Sequence, residues 1–173
     1  MSRTRLPPID FGPAADGGVS IRVTTSSSTP IVVERSVSGR PTAAPWRLAT
    51  TGAASTSTKW GLPWISLGTF SHTPDLEVLT ITNPSDADAR VEVQLYEHNF
   101  EPTTYKAVFT VPARRRLRIS SWPDPSGGAS GGMIATSLAQ ADGSAPGVVI
   151  EYTRPSNVGG EPRVVSLIAS PLP

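Results

Sequence analysis

LEVLTITNPSDADARVEVQLYEHNFEPTTYKAVFTVPARRRLRIS, residues Leu76 to Ser120, is the stretch whose reading decides the fold. Val91, Val93 and Leu95 fall on one side of an extended chain, and Arg90, Glu92, Gln94 and Tyr96 fall on the other. Such period-two alternation is the mark of a strand with one buried and one wet face. Ala107, Phe109 and Val111 repeat it against Lys106, Val108 and Thr110, as do Leu117 and Ile119 against Arg116, Arg118 and Ser120. Asn83-Pro84-Ser85-Asp86 ends a preceding strand, Leu76 to Thr82, because Asn and Asp accept turn conformations and Pro lacks a ladder donor. Pro112-Ala113 separates the last two strands in the same way. The stretch therefore predicts four successive strands joined by turns.

Charge divides it into halves. Asp86, Asp88, Glu92, Glu97 and Glu101 are acidic, whereas Arg114, Arg115, Arg116 and Arg118 are basic. On neighbouring antiparallel strands these groups would face each other and help set register, at roughly 0.2–1 kcal/mol per pair. The Arg run is accordingly read as a solvated strand face. A nucleic-acid surface needs a net basic footprint, and the chain's formal net charge is only +1.

Outside this stretch, composition argues against helices. The 173 residues include 18 Pro and 15 Gly, which interrupt every long amphipathic window. The absence of Cys excludes disulfides and thiolate metal sites. Lys59 and Lys106 are the only lysines, and the preference for Arg, with much Ala, Gly and Pro, suggests a high-GC bacterial genome. No apolar run approaches the roughly 20 residues of a membrane helix. The opening MSRTRLPPIDFGP has no apolar core, so a signal peptide is absent from this chain, and export implies one already removed.

Further strands are expected at Val19 to Thr24, Ile31 to Val37, Met133 to Leu138, Val148 to Thr153 and Val164 to Ala169. Residues 38–58 read as a long crossing loop or linker anchored by Trp46 and Leu48, and WGLPWISLGTF, Trp60 to Phe70, as a short strand or irregular lid. Trp122 to Gly128, Ala139 to Gly147 and Arg154 to Pro162 read as loops. The whole predicts an all-β, Ig-like antiparallel β-sandwich of about nine or ten strands with little or no helix.

An internal echo bears on domain organisation. Ile31-Val32-Val33-Glu34 matches Val148-Val149-Ile150-Glu151, and each follows a Ser/Gly/Pro turn. Residues 1–40 are thus expected to supply N-terminal strands that complete a sandwich in cis or pair in trans, and 41–173 the β-sandwich domain, together one compact unit. Ile31, Val33 and Val37 are the candidate strand-pairing residues, because isolated two-stranded pieces are marginal and open edges attract partners.

TPIVVERSVSG, LTITNPSDADARVEVQLYEHN, VFTVPARRRLRIS and GVVIEYTRPS, in that order, resemble a family of exported bacterial β-sandwich domains of unknown function. The resemblance covers most of Thr29 to Tyr152 and implies an Ig-like fold, secreted or on the cell envelope, with no catalytic residues to carry over. The second echo departs from the family motif, with Tyr152 where the first has Arg35.

Little chemistry stands out beside this. His72 and His98 lie in expected loops without metal-ligand spacing, and Asp86-Ala87-Asp88 offers two of the six or more oxygens that Ca²⁺ requires. Neither a nucleophile elbow nor a phosphate loop is present. No cofactor or metal is expected, and no enzyme. The expected function is a structural or interaction module that binds other protein chains, including copies of itself, by strand pairing. The alternative is a carbohydrate-binding module in which Trp46, Trp60 and Trp64 stack on glycan rings.

Overall fold

The computed structural model describes residue 23 and residues 34–39, 46–51, 53–67, 77–97, 104–122, 129–158 and 161–173, with backbone alone for 34–39, 46–51, 97, 104, 129, 155–158 and 161–166. Among these residues the chain is all-β, without helix. Five strands form one antiparallel sheet in the order β11 (Ser170–Pro171), β3 (Lys59–Leu67), β8 (Ala129–Ser137), β5 (Ala89–Glu97) and β6 (Thr104–Val111). Four form a second, in the order β10 (Glu161–Ile168), β9 (Val149–Val158), β4 (Val78–Asn83) and β7 (Arg115–Ile119). β1 (Glu34–Gly39) and β2 (Trp46–Thr51) make a separate antiparallel pair, with β2 running beside β10.

The alternation of Leu76 to Ser120 becomes the core. Val91, Val93 and Leu95 are fully buried, and Arg90 and Tyr96 are exposed. They meet Trp60, Leu62, Ile65, Leu67 and Met133 from their own sheet, and Leu79, Ile81, Ile119, Ile150 and Tyr152 from the other. At roughly 1.5–3 kcal/mol for each large aliphatic side chain taken out of water, this layer is the main stabilising term. On β4 the outward residues Val78 and Thr80 are buried as well, so that strand is covered on both faces.

The four successive strands do not lie side by side. β4 belongs to the four-stranded sheet, β5 and β6 cross to the five-stranded sheet, and β7 returns to pair with β4. The stretch thus builds both layers by itself. This corrects the expected pairing of acidic with basic strands, since the neighbours of β5 are β6 and β8, and β7 lies in the opposite layer. The physical reason is the turn at Pro112 to Arg115. Arg115 N–H donates to Pro112 O at 3.1 Å, and Arg114 takes the left-handed conformation, φ 56°. That redirects the chain between layers instead of closing a hairpin. Two contacts between charges are local: Arg114 Nε with Asp86 Oδ1, and Lys106 Nζ with Glu92 Oε1.

Three further expectations change. Residues 46–51 form a strand within the expected linker, and β1 pairs with it in cis, placing Val37 opposite Leu48. Ile31 and Val33 lie outside the described residues, as do Val19 to Arg22 and Thr24. The expected loop Arg154 to Pro162 is mostly a hairpin, β9 running to Val158 and β10 starting at Glu161. Pro155 lies past Thr153, the last β9 residue with a β4 partner, so on that side its missing N–H costs nothing. Finally, Trp60 to Leu67 belongs to a nine-residue strand that absorbs Pro63 in a β-bulge between Leu62 and Ile65.

Buried polar groups clasp the two layers. Asn83, fully buried at the end of β4, donates from Nδ2 to the carbonyls of Ala87 (2.8 Å), Val111 (3.0 Å) and Pro112 (3.2 Å). Its Oδ1 accepts from Ser85 N–H at 3.1 Å and Ser85 Oγ at 2.6 Å. One side chain therefore closes the β4–β5 loop and ties it to the β6–β7 turn. Trp60 Nε1 on β3 donates to Val148 O at 2.9 Å, just ahead of β9. Tyr152 Oη on β9 donates to Ser66 O at 2.8 Å and accepts from Ser66 N–H at 3.0 Å.

Replacing Asn83 by Ala leaves the buried Val111 carbonyl and part-buried groups of Ser85, Ala87 and Pro112 without this partner, and Asn83→Ala is expected to lower the unfolding free energy by about 2–4 kcal/mol in denaturant titration. Asp86→Ala removes only an exposed ion pair, and its denaturation midpoint is expected to stay close to that of the parent. Equal losses for the two variants would contradict the assignment of the clasp.

Candidate functional site

The tryptophans do not form one platform. Trp60 is 2% exposed, and its indole N–H is bonded to Val148 O and, at 3.1 Å, to Ser57 O. It therefore offers no face to a sugar ring. Trp122 is buried too, edge-on to Phe109 with centroids 6.1 Å apart. Trp46 opens β2 opposite Gly39, in the other strand pair. Trp64 is on the surface, 41% exposed, because the bulge turns it outward with Pro63, and the side chain of Trp46 lies outside what the structure describes.

What the fold brings beside Trp64 is Tyr96. Pro63 and Trp64 occupy the bulge opposite Gly132 on β8, and Gly132 pairs on its other side with Tyr96 of β5. With strands about 4.8 Å apart, two exposed aromatic residues flank a glycine floor about 10 Å across. A Cβ on Gly132 would meet Pro63 O at 3.5 Å, an ordinary van der Waals contact. The sequence places Tyr96 on a wet face. Its approach to Trp64 depends on β8 entering between β5 and β3, for which sequence alternation carries no signal.

The edges of the two sheets differ in how they are finished. β3 is closed along its free side by Leu172 N–H to Lys59 O (2.9 Å), by Ser170 opposite Gly61, and by the Tyr152 hydroxyl, which serves Ser66 as donor and acceptor like an absent strand. β10 has β2 alongside. β7 is five residues long and carries Arg115, Arg116 and Arg118. Among the described residues β6, with eight residues, is the remaining edge.

The ladder fixes which β6 groups face outward. Leu138 N–H donates to Arg90 O at 2.7 Å, so the even-numbered residues of β5 direct their backbone groups toward β8 and the odd-numbered ones toward β6. Tyr105, Ala107, Phe109 and Val111 consequently bond to β5, whereas the N–H and C=O of Thr104, Lys106, Val108 and Thr110 point away from the sheet. Among the described residues nothing bonds to those outward groups. Val108 is 48% exposed, and Lys106 and Thr110 are exposed beside it.

One buried polar cluster lies at the opposite end of the sandwich from Asn83. Glu77, 8% exposed, precedes β4 near Ser66 of β3 and Arg154 of β9. Burial raises its carboxyl above the ordinary range, more than the Ser66 hydroxyl and Arg154 guanidinium lower it. Neither Glu77 Oε2 nor Ser66 Oγ has a hydrogen-bond partner. Burial likewise raises the Tyr152 phenol, opposed by its bond to Ser66 and reinforced by Glu77. In the Asp86-Ala87-Asp88 turn, Asp86 is taken by Arg114 and Asp88 Oδ1 accepts from Ala113 N–H at 2.9 Å. No group of three or more His, Cys, Asp or Glu able to hold a metal occurs among the described residues, and His72 and His98 lie outside them. Among the described residues no helix is long and apolar enough to cross a membrane.

No family model matches the chain, and no curated protein does. Among solved structures, the Anabaena sensory rhodopsin transducer is similar at 23% identity, over 60% of this chain and 99% of that one, with a TM-score of 0.41. A crystal structure of Thermotoga maritima 1070 is similar at 18% identity, over 68% and 96% of the two chains, with a TM-score of 0.46. These values do not assign the chain to a family.

Because the Glu77 carboxyl is raised in the folded state, that state binds the proton more tightly than the unfolded chain. This contribution to stability is therefore present at acid pH and is lost as pH rises from the ordinary carboxylate range through the raised value. Glu77→Gln is expected to be more stable than the parent at neutral pH, with the difference shrinking as pH falls through that window in denaturation curves. A constant difference across the window would contradict the burial of an ionised Glu77.

Proposed function

We propose that this chain is a non-catalytic interaction module with an Ig-like sandwich architecture, acting through strand pairing with another protein chain at β6. The observation that supports this reading is the contrast between edges. β3 is sealed by Tyr152 and Leu172, while among the described residues no strand pairs with the outward side of β6, toward which Thr104, Lys106, Val108 and Thr110 direct their backbone groups. Native sheets usually blunt such an edge with Pro, a bulge or several charges, and β6 carries Lys106 alone. Strand addition gives affinity through main-chain bonds and specificity through alternate side chains. The composition and the absence of a recognisable catalytic constellation in the sequence fit placement in a secreted or envelope-bound bacterial protein.

A second reading is favoured by Tyr96 and Trp64 across Gly132, a groove in which flat aromatic faces could hold a glycan ring. It replaces the buried Trp60 with Tyr96 in the proposed platform.

Residue-resolved amide exchange in dilute solution tests the first reading. Lys106, Val108 and Thr110 amides are expected to exchange orders of magnitude faster than those of Tyr105, Ala107 and Phe109; uniform protection along β6 would mean the edge is already occupied. For the second, glycan-array binding lost in both Trp64→Ala and Tyr96→Ala is the expected result, and binding unaffected by either would remove it.

A further inference from the structure

The identity and register of the partner can be drawn from β6 itself, given the open-edge reading above. We infer that β6 pairs antiparallel with β6 of a second copy of this chain, about a two-fold axis through Ala107, joining two five-stranded sheets into one. An isologous contact of this kind requires a surface complementary to itself, and the sequence of β6 satisfies that requirement in one register better than in its neighbours.

Only the outward residues Thr104, Lys106, Val108 and Thr110 can form hydrogen-bonded pairs across the new interface. With the axis at Ala107, Lys106 faces Val108 of the other copy and Thr104 faces Thr110, twice each, giving about eight N–H···O bonds. The alternate positions form the closer, non-hydrogen-bonded pairs: Ala107 meets its own twin on the axis, and Tyr105 meets Phe109 on each side. Tyr105, Ala107 and Phe109 are only partly buried in the single chain, where they pack against the core from its rim. Pairing would cover them and set aromatic rings opposite one another, an arrangement that stabilises cross-strand pairs. The small Ala107 lets the chains approach where they are closest.

Neighbouring registers are worse. Sliding by two residues one way sets Lys106 directly against its twin, a like-charge pair that opposes association. Sliding the other way sets Thr104 against Pro112, which has no N–H to give. Lys106 and Pro112 therefore select the register centred on Ala107. Lys106 also bonds to its own Glu92 at 3.4 Å, which partly neutralises it at the seam. In the other layer the two β7 strands, each with Arg115, Arg116 and Arg118, would come alongside one another. Association should consequently strengthen as salt screens them.

A single strand pair buries less area than a standard interface, so a weak, concentration-dependent dimer is expected. The test is sedimentation equilibrium of the full chain from about 1 to about 500 µM, a range suited to interfaces of this size, with Val108→Pro, Val108→Lys and three single-Cys variants. Val108→Pro removes an N–H that the sheet itself does not use, and Val108→Lys places a second cation opposite Lys106 without altering the backbone. A dimer weakened at least about tenfold by both, and strengthened by salt, is expected. Since the chain has no Cys of its own, oxidation of Ala107→Cys should cross-link far faster than that of Lys106→Cys or Val108→Cys.

A monomer at every concentration, undiminished association in Val108→Lys, or fastest cross-linking at position 106 or 108 would overturn the inference. If Val108→Pro fails to fold, Val108→Lys and the cross-linking series still decide it. Should the outward β6 amides exchange freely while the chain stays monomeric, self-pairing falls and the open edge stands, to be filled by a different strand.

Discussion

The Tyr152 hydroxyl, donating to Ser66 O and accepting from Ser66 N–H, is the contact on which the rest of this architecture turns. It reaches from the core of one sheet to the backbone edge of the other. A phenol is well suited to that place because its ring fills the apolar layer and its oxygen is both donor and acceptor. In one contact it holds the layers together and finishes the edge of β3. With Trp60 bonded to Val148 O at the other end of β3, the strand is fixed to β9 at two points. Asn83 performs the corresponding work between β4 and the β6–β7 turn.

These clasps explain the asymmetry of the five-stranded sheet. One side ends in a strand whose backbone groups are satisfied by side chains and by the chain terminus, with Leu172 Cδ1 packed about where a Gly61 Cβ would stand, 3.1 Å away. The other side ends in β6, which leans on the core through Tyr105, Ala107 and Phe109, and among the described residues no strand pairs with its outer backbone groups. The proposed function rests on that difference.

Much of the fold is legible in the sequence because burial has period two. The alternations Val91, Val93, Leu95 and Ala107, Phe109, Val111 mark faces that the structure buries or half-buries. Alternation assigns a face, however, and not a neighbour. It therefore carries no information that β5 and β7 lie in different layers, where Asp86 meets Arg114 from turn to turn. Prolines misled for a related reason: Pro63 and Pro155 read as breakers, yet a bulge and an unpaired strand side remove the cost of their missing donors. Trp60 and Trp64 look alike in sequence, and only the bulge between Leu62 and Ile65 separates a core residue from a surface one. The β6 edge is not legible in the sequence, since whether a strand is central or terminal is decided by segments remote in the chain.

Among the described residues β6 is an intact strand whose outward backbone groups pair with no other strand. A proline scan of β6 read by thermal unfolding in dilute solution tests it most directly. Proline at 106, 108 or 110 should leave stability close to that of the parent, whereas proline at 105, 107 or 109 should cost at least about 2 kcal/mol through lost ladder bonds. Equal destabilisation at both sets of positions would contradict the claim.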